Sequence, residues 1–217
     1  MAATVWEVRG VLSELGFSQR DSRTYQRKDP DLILRLTGMG QSGARQGAEA
    51  LLRDSPGMVI STGFAGALKE EIRPGDLVID TARSDPKWAQ VLSEIAEKNL
   101  VPAHGGPFYS SKVPLMTALE KARTARETGA VAVEMESQAI FEVLKLKQVP
   151  FLSFRTVSDS LDQDLPPAIF ESSPGPGLLW RLLLAPGQWG SFAKLVRSSR
   201  AAEKSLTKIF KEFIQHV

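Results

Sequence analysis

The sequence predicts one α/β domain: a central mixed sheet flanked by helices, with amphipathic helices at the C-terminus. Apolar, β-rich runs alternate with stretches of helical periodicity along most of the 217 residues, which is the pattern of strands covered by helices. Several runs are continuously apolar, as expected for strands buried on both faces. A chain of this length can bury one substantial core.

The elements are predicted in a regular order. Strands are expected in 31–40, 58–68, 73–82, 130–136 and 149–159, and helices in 42–54, 86–99, 114–128 and 137–147. Residues 161–177 are rich in proline, glycine and serine, which predicts a loop or lid. We expect the catalytic domain to span 1–177, with a basic amphipathic helical tail, 178–217, packed on it or extending from it.

Composition restricts the available chemistry. Cysteine is absent, which excludes thiolate nucleophiles, disulfides, zinc ribbons and iron–sulfur clusters. His104 and His216 stand far apart, without the spacing of a metal site. We therefore expect no metal and no cofactor, and a reaction carried by carboxylates, hydroxyls and backbone groups.

The charge distribution and the termini bear on location and partners. The N-terminal sequence lacks the regions of a signal peptide, and no run of about 18 apolar residues appears. We expect a cytoplasmic protein without a nucleic-acid partner. The tail carries seven basic and two acidic residues beside Leu, Trp and Phe. It predicts either ordinary packed surface helices or a peripheral contact with the inner membrane face.

A glycine motif after the first predicted strand has two interpretations. Residues 38–43 read GMGQSG, a GxGxxG pattern between a strand and a helix. In a dinucleotide-binding unit the next strand ends in an acid that holds the ribose. Here that strand continues into Ser61-Thr62-Gly63-Phe64, without an acid. A Rossmann dehydrogenase stays open as an alternative to a tight turn that needs glycine for its backbone conformation.

Carboxylates follow two of the predicted strands. Glu134 and Glu136 lie at the junction of strand 130–136 and its helix, where they could cap the helix or bind vicinal hydroxyls and stabilise a cation. Asp159 ends the strand VPFLSFRTVSD. It could cap the next segment, or burial could raise its pKa so that it acts as a general acid near neutral pH.

Five spaced motifs resemble a known superfamily. They are GMGQSGARQGAEALL, VISTGFAGAL, RPGDLVI, AVAVEMES and VPFLSFRTVSD. Together they resemble purine nucleoside phosphorylases and methylthioadenosine/S-adenosylhomocysteine nucleosidases over roughly residues 3–160, and most closely the hopanoid-associated nucleoside phosphorylases. The resemblance implies cleavage of the N-glycosidic bond of a purine nucleoside, with adenine as the base and a bulky or lipid 5′ substituent.

The resemblance also implies roles for individual residues. Asp159 would protonate N7 of the departing purine, and Ser158 would position it. Glu136 would bind the ribose 2′- and 3′-hydroxyls and support the oxocarbenium-like transition state. Met135 would pack against the sugar face, with Glu134 as a supporting acid near the base or sugar.

The nucleophile is assigned on two further matches. Glu7 matches the acid with which nucleosidases activate water. The stretch Ser61-Thr62-Gly63-Phe64 corresponds to a turn whose arginine and serine hold phosphate in phosphate-using relatives, and Gly63, Phe64 and Ala65 would bind substrate. An apolar Phe64 in that place favours water, so hydrolysis is the leading interpretation. Phosphorolysis on the same residues and a catalytically silent nucleoside-binding protein remain alternatives.

A short mid-chain segment predicts the shape of the 5′ side. The segment between Ala82 and Val101 lacks a long insertion that helps nucleosidases to form their dimer and to close the 5′ side of the pocket. We therefore expect an open 5′ side. A homodimer is what the resemblance implies, although one interface segment is missing here.

Overall fold

The computed structural model of the chain describes residues 1–166 and 189–217. Six α-helices lie in these two ranges: α1 (Val5–Glu14), α2 (Gln41–Leu51), α3 (Pro86–Lys98), α4 (Ala118–Thr128), α5 (Ser137–Lys145) and α6 (Trp189–Phe213). Ten strands lie there too: β1 (Ser18–Asp21), β2 (Thr24–Lys28), β3 (Asp31–Arg35), β4 (Val59–Ser61), β5 (Phe64–Ala67), β6 (Leu77–Asp80), β7 (Ala103–Gly106), β8 (Phe108–Ser110), β9 (Ala132–Glu134) and β10 (Phe151–Asp159).

Seven of these strands form a central mixed sheet, which confirms the predicted fold class. The order is β7-β6-β10-β5-β9-β8, and β4 pairs with the first part of β10. The pairs β10–β4, β10–β5, β6–β7 and β8–β9 are parallel, whereas β10–β6 and β5–β9 are antiparallel. Strand β10 is therefore the spine of the sheet, and its last residue, Asp159, lies opposite Gly66 of β5.

Strand β10 is buried because its apolar run is covered on both faces. Phe154 packs on α6, with ring centroids 6.3 Å from Phe210 and 6.4 Å from Phe213. Phe151 belongs to a second cluster with buried side chains of α2 and α5, such as Ile140. The continuous apolar pattern that predicted this strand thus reflects helices on both sides.

Helix α6 is part of the core. Its buried side chains, Ala202, Leu206, Ile209, Phe210 and Phe213, join the main hydrophobic cluster. The helix lies against β10, α1 and α3, so the apolar face of this part of the tail is occupied by the domain.

Within 1–166 and 189–217, no helix is long and apolar enough to cross a membrane. The predicted lid beyond residue 166, the boundary at 177 and residues 178–188 lie outside the described residues.

The N-terminal fifth differs from the sequence prediction. Strand β3 belongs to a separate antiparallel sheet of order β1-β2-β3 and not to the central sheet. Strand β1 is polar and fully exposed, so no alternation of apolar residues revealed it. Residues 1–3 precede α1, and Ala2 forms an isolated bridge with Leu36. The capping box of Thr4 and Glu7 then begins α1.

Two further boundaries have local causes. The run 58–68 is not one strand, because the chain breaks at Thr62-Gly63 between β4 and β5 and Gly63 has a φ of 146°. Helix α4 begins at Ala118, four residues later than predicted, because the Thr117 side chain and Glu120 form a capping box there. Strands β7 and β8 were missed because they are short and contain small residues.

Candidate active site

Glu7 lies at one end of β5, carried there by the first turn of α1. Its Oε2 accepts hydrogen bonds from the Thr4 backbone N–H at 2.7 Å, and its Oε1 accepts one from the Phe64 N–H at 3.2 Å. A Cβ at Gly63 would lie 2.8 Å from Oε1, so glycine is required for this approach. Burial raises the pKa of Glu7, although the N–H groups of Thr4 and Phe64 oppose the rise.

Asp159 lies at the other end of β5. A Cβ at Gly66 would be 2.8 Å from its Oδ2, so a second glycine of the motif GFAG makes room for a second carboxylate. The Ser158 hydroxyl donates to Oδ1 of Asp159 at 2.7 Å. The ammonium of Lys121 contacts Oδ2. No feature of the sequence had singled out Lys121.

Glu136 lies at the N-cap position of α5, just after strand β9. Its Oε1 accepts a hydrogen bond from the Gly40 N–H at 2.9 Å. Burial raises the pKa of Glu136 to about 7, with the charges of Glu134 and Glu7 adding to the rise and Arg155 opposing it. The site therefore holds a carboxyl group that changes its charge near neutral pH.

The glycine motif at residues 38–43 forms a tight turn. Gly40 has a φ of 91° and directs its N–H to Glu136. A Cβ at Gly43 would lie 2.2 Å from the Thr37 carbonyl oxygen. Since β3 belongs to an antiparallel sheet, the motif does not open the parallel βαβ unit of a dinucleotide site. The structure therefore favours the tight-turn interpretation.

Glu134 is placed differently from the expectation that it binds substrate. Its side chain has no exposed surface, and its oxygens accept from Glu136 N–H at 2.9 Å, Ser137 N–H at 2.7 Å and the Ser137 hydroxyl at 2.7 Å. The Ser110 hydroxyl contacts it as well. Helix capping therefore accounts for Glu134, because these protein groups and Arg155 occupy its carboxylate.

Arg155 is a site residue for which the sequence analysis assigned no role. It is only 2% exposed, and its Nη2 lies 3.1 Å from Glu134 and 3.9 Å from Glu136. The same atom donates to the Ser61 hydroxyl at 2.9 Å. An arginine inside an apolar buried strand must be paired with carboxylates, and that rule was the signal available in FLSFRTVSD.

The remaining predicted residues surround these acids. Met135 approaches Gly40, whose Cβ would lie 4.0 Å from its Cε. Ala65 is buried, and its carbonyl oxygen lies 3.3 Å from the Ser158 hydroxyl. The Phe64 side chain packs against the main core cluster, while its backbone N–H serves Glu7. The structure thus places Glu7 and Asp159 against the two ends of β5, Glu136 and Met135 beside Gly40, and the Phe64 and Ala65 side chains against the core.

The raised pKa of Glu136 predicts a pH-dependent stability. Between about pH 4.5 and pH 7 the folded chain holds a proton that the unfolded chain has released. This contribution is complete below pH 4.5 and is lost as the pH rises through 7, for a total of about 3 kcal/mol. In urea unfolding at pH 4 and pH 8, the loss of stability should be about 3 kcal/mol smaller in Glu136→Gln, whose side chain stays neutral, than in the wild type. Glu142→Gln, an exposed change on α5, is the control, and an equal loss in Glu136→Gln would contradict the assignment.

Two carboxyl groups lie against β5, and a third, Glu136, lies at the start of α5. A general acid, a group that binds hydroxyls or stabilises a cation, and a general base are the requirements for displacing a leaving group by water. Asp159 at Gly66, Glu136 at α5 and Glu7 at Gly63 can supply them in that order.

Comparisons with known proteins show which chains this one is similar to. A model of the Phosphorylase superfamily matches residues 80–174. The chain is 30% identical over 162 residues to the 5′-methylthioadenosine/S-adenosylhomocysteine nucleosidase of Glaesserella parasuis. This alignment covers 62% of the chain and 70% of the relative. It is 32% identical over 165 residues to the nucleosidase of the same description from Haemophilus influenzae, covering 61% and 69%.

Solved structures show the same fold. The 5′-methylthioadenosine/S-adenosylhomocysteine nucleosidase of Neisseria meningitidis, in complex with methylthio-immucillin-A, superposes with a TM-score of 0.75 at 19% identity, covering 100% of this chain and 97% of that one. The futalosine hydrolase of Helicobacter pylori gives 0.72 at 16% identity, covering 97% and 95%. The chain therefore belongs to the superfamily of enzymes that comprises the purine nucleoside phosphorylases and the 5′-methylthioadenosine/S-adenosylhomocysteine nucleosidases.

Proposed function

We propose that the protein hydrolyses the N-glycosidic bond of a purine nucleoside and releases adenine. The observation that carries the proposal is a set of three carboxyl groups. Asp159 lies beside Gly66 and Glu7 beside Gly63, at the two ends of β5, and Glu136 accepts from the Gly40 N–H and lies within charge interaction of Glu7. The relatives, whose names describe nucleosidases and a futalosine hydrolase, support the same reaction class.

The proposed mechanism assigns one step to each carboxyl group. Protonated Asp159 donates its proton to N7 of the purine while the C1′–N9 bond breaks and its electron pair leaves with the base. Glu136, as a carboxylate, accepts hydrogen bonds from the ribose hydroxyls and stabilises the positive charge that develops on the sugar. Water attacks C1′, and Glu7 takes the proton that the water loses.

The charges around Glu7 support water as the nucleophile. Glu7, Glu134 and Glu136 raise the local density of negative charge, which repels a phosphate anion. Among the described residues, the cation close to this group is Arg155, and it is already paired with Glu134. The Phe64 side chain packs in the core and offers no hydroxyl to an anion.

Exposed apolar side chains near the acids support a large 5′ substituent. Trp6 lies next to Glu7 in the chain and is 60% exposed, and Met39, next to Gly40, is 59% exposed. Val113 is 64% exposed and follows Ser111, whose N–H donates to the Glu134 carbonyl oxygen. We propose that these exposed side chains form an apolar rim of the substrate pocket and that this rim accepts a 5′ substituent such as an alkylthio group or a lipid chain, as the hopanoid-associated resemblance predicts.

One panel of assays tests the reaction and the substituent. Free base is measured chromatographically after incubation with adenosine, inosine, 5′-methylthioadenosine and 5′-alkylthioadenosines, each with and without phosphate. We expect adenine release without phosphate, with kcat/KM rising with the apolar length of the substituent. Strict phosphate dependence would instead indicate a phosphorylase, binding without release would indicate a silent protein, and equal rates for all substituents would remove the apolar rim from the proposal.

The peripheral membrane contact and the homodimer stay predictions. The apolar side chains between Ala202 and Phe213 of α6 are buried in the core, so they are not available to a membrane. Co-sedimentation of the full chain with liposomes tests the membrane contact, and sedimentation equilibrium tests the dimer.

A further inference from the structure

Lys121 of α4 stands out because its charged group is wholly buried. The residue has no exposed surface, and its ammonium contacts Asp159 Oδ2 from 38 positions earlier in the chain. It also donates to the carbonyl oxygens of Ser160 at 3.0 Å and Gln163 at 2.8 Å. An ammonium has three donors, and here each of them has an acceptor.

The surroundings of Lys121 hold it in place. The Ala118 N–H at the start of α4 donates to Asp164 at 2.7 Å, and the Leu165 N–H donates to the Met116 carbonyl oxygen at 2.8 Å. The start of α4 is therefore fastened to the segment 160–165 on the N-terminal side of the lysine. The ammonium cannot leave Asp159 without also breaking its contacts to the carbonyl oxygens of Ser160 and Gln163.

A requirement for stability alone does not explain this pair. Replacing a buried ion pair by well-packed apolar residues is often neutral or stabilising, because both charges lose their hydration. The carboxylate in this pair is the group to which the proposed function assigns proton transfer. The pair is therefore better explained by what it does to that carboxyl group.

Other charged groups near Asp159 are engaged elsewhere. On β10, Arg155 pairs with Glu134 of β9. In the segment after β10, Asp162 accepts from the Ser160 hydroxyl and Asp164 accepts from α4. From strand β5, the residue that lies against the Asp159 carboxylate is the uncharged Gly66. The remaining charged residues of α4, Glu120, Arg123, Arg126 and Glu127, are bound on the helix surface. Among the described residues, Lys121 is thus the charged group in contact with the Asp159 carboxylate.

We propose that Lys121 is a positioning residue that fixes the Asp159 carboxyl group and sets its acid strength in the proposed reaction. When Asp159 passes its proton to N7, the O–H bond breaks, the N7–H bond forms, and the new carboxylate remains paired with the ammonium. The cation thereby stabilises the charge that appears on Asp159 during departure of the base. The inference rests on the proposed function.

The test compares Lys121→Met and Lys121→Gln, which remove the charge, with Lys121→Arg, which keeps it. The readout is the dependence of kcat/KM for base release on pH. The limb of this profile that disappears in Asp159→Asn is the limb that belongs to Asp159. Since a neighbouring cation favours the ionised acid, removing it should move that limb upward by about 1–3 pH units. Lys121→Arg should leave the limb near its wild-type position. Arg123→Met, which removes an exposed cation from α4, is the matched control.

A second readout separates this role from a merely structural one. In a nitrophenyl riboside the leaving group is a nitrophenolate, which departs without being protonated. Cleavage of this riboside should therefore be nearly unchanged in Lys121→Met. For the purine nucleoside, in contrast, kcat should fall by up to about 10²-fold. If Lys121→Met does not fold, Lys121→Gln and Lys121→Arg still make the comparison.

The outcomes distinguish two failures. Base release by the wild type with an unmoved limb in both uncharged variants, or an equal loss for both substrates, would overturn the inference alone. Absence of base release by the wild type from every nucleoside would overturn the proposed function, and the inference with it.

Discussion

Asp159→Asn is expected to lower the rate of base release from purine nucleosides by about 10²–10⁴-fold, because an amide cannot donate a proton to N7. Asparagine has nearly the same shape as aspartate, and its oxygen can still accept a hydrogen bond from Lys121. The change therefore removes the acid while keeping the contacts that place it beside Gly66. The rate is measured by chromatography of the released base at saturating nucleoside.

The matched control for this variant is Asp162→Asn. It makes the same chemical change three residues later, at an exposed acid of the same segment, and it should keep the wild-type rate. Circular dichroism of both variants establishes that they are folded. If folded Asp159→Asn released base within tenfold of the wild-type rate, Asp159 would not be the acid.

Glu7→Gln is expected to lower hydrolysis by a comparable factor of about 10²–10⁴, because glutamine cannot take the proton of the attacking water. The pH dependence that reflects ionisation of Glu7 should disappear at the same time. Burial raises the pKa of Glu7, which brings this ionisation closer to neutral pH and suits the residue to act as a base. Binding of the nucleoside, measured by calorimetry, should change little.

Glu14→Gln serves as the control for Glu7→Gln. Glu14 lies on the same helix, 54% of its side chain is exposed, and it faces Lys211 at 3.6 Å. Its replacement should leave the pH profile unchanged. A Glu7→Gln enzyme that kept both the rate and the pH profile of the wild type would transfer the role of base to another group.

The sequence predicts the centre of the fold better than its N-terminal part, and the reason is physical. Strand β10 and helices α2, α3 and α5 are covered by other elements, so burial imposes apolar patterns that can be read directly. Strand β1 has no buried side. The hairpin that it forms with β2 depends on pairing between strands, which leaves no periodic signal in either strand.

The candidate site was predictable where its residues end strands. Asp159 and Glu136 follow apolar runs, and the chemistry of such positions is general to α/β folds. The different fates of Glu134 and Glu136 were not predictable, because they depend on the turn into α5, which directs one carboxylate to the helix N–H groups and the other to Gly40. The contact of Lys121 with Asp159 joins residues 38 positions apart, and local patterns carry no information about such pairs.

The central claim is that water, activated and assisted by these carboxyl groups, attacks the sugar. Its most direct test is mass spectrometry of the sugar product after the wild-type enzyme has cleaved a 5′-substituted adenosine in phosphate buffer made with H₂¹⁸O, quenched before free ribose exchanges its anomeric oxygen. Hydrolysis predicts a free pentose that carries ¹⁸O at C1′, with adenine released in equal amount. A pentose 1-phosphate without the label would contradict the account and assign the enzyme to phosphorolysis.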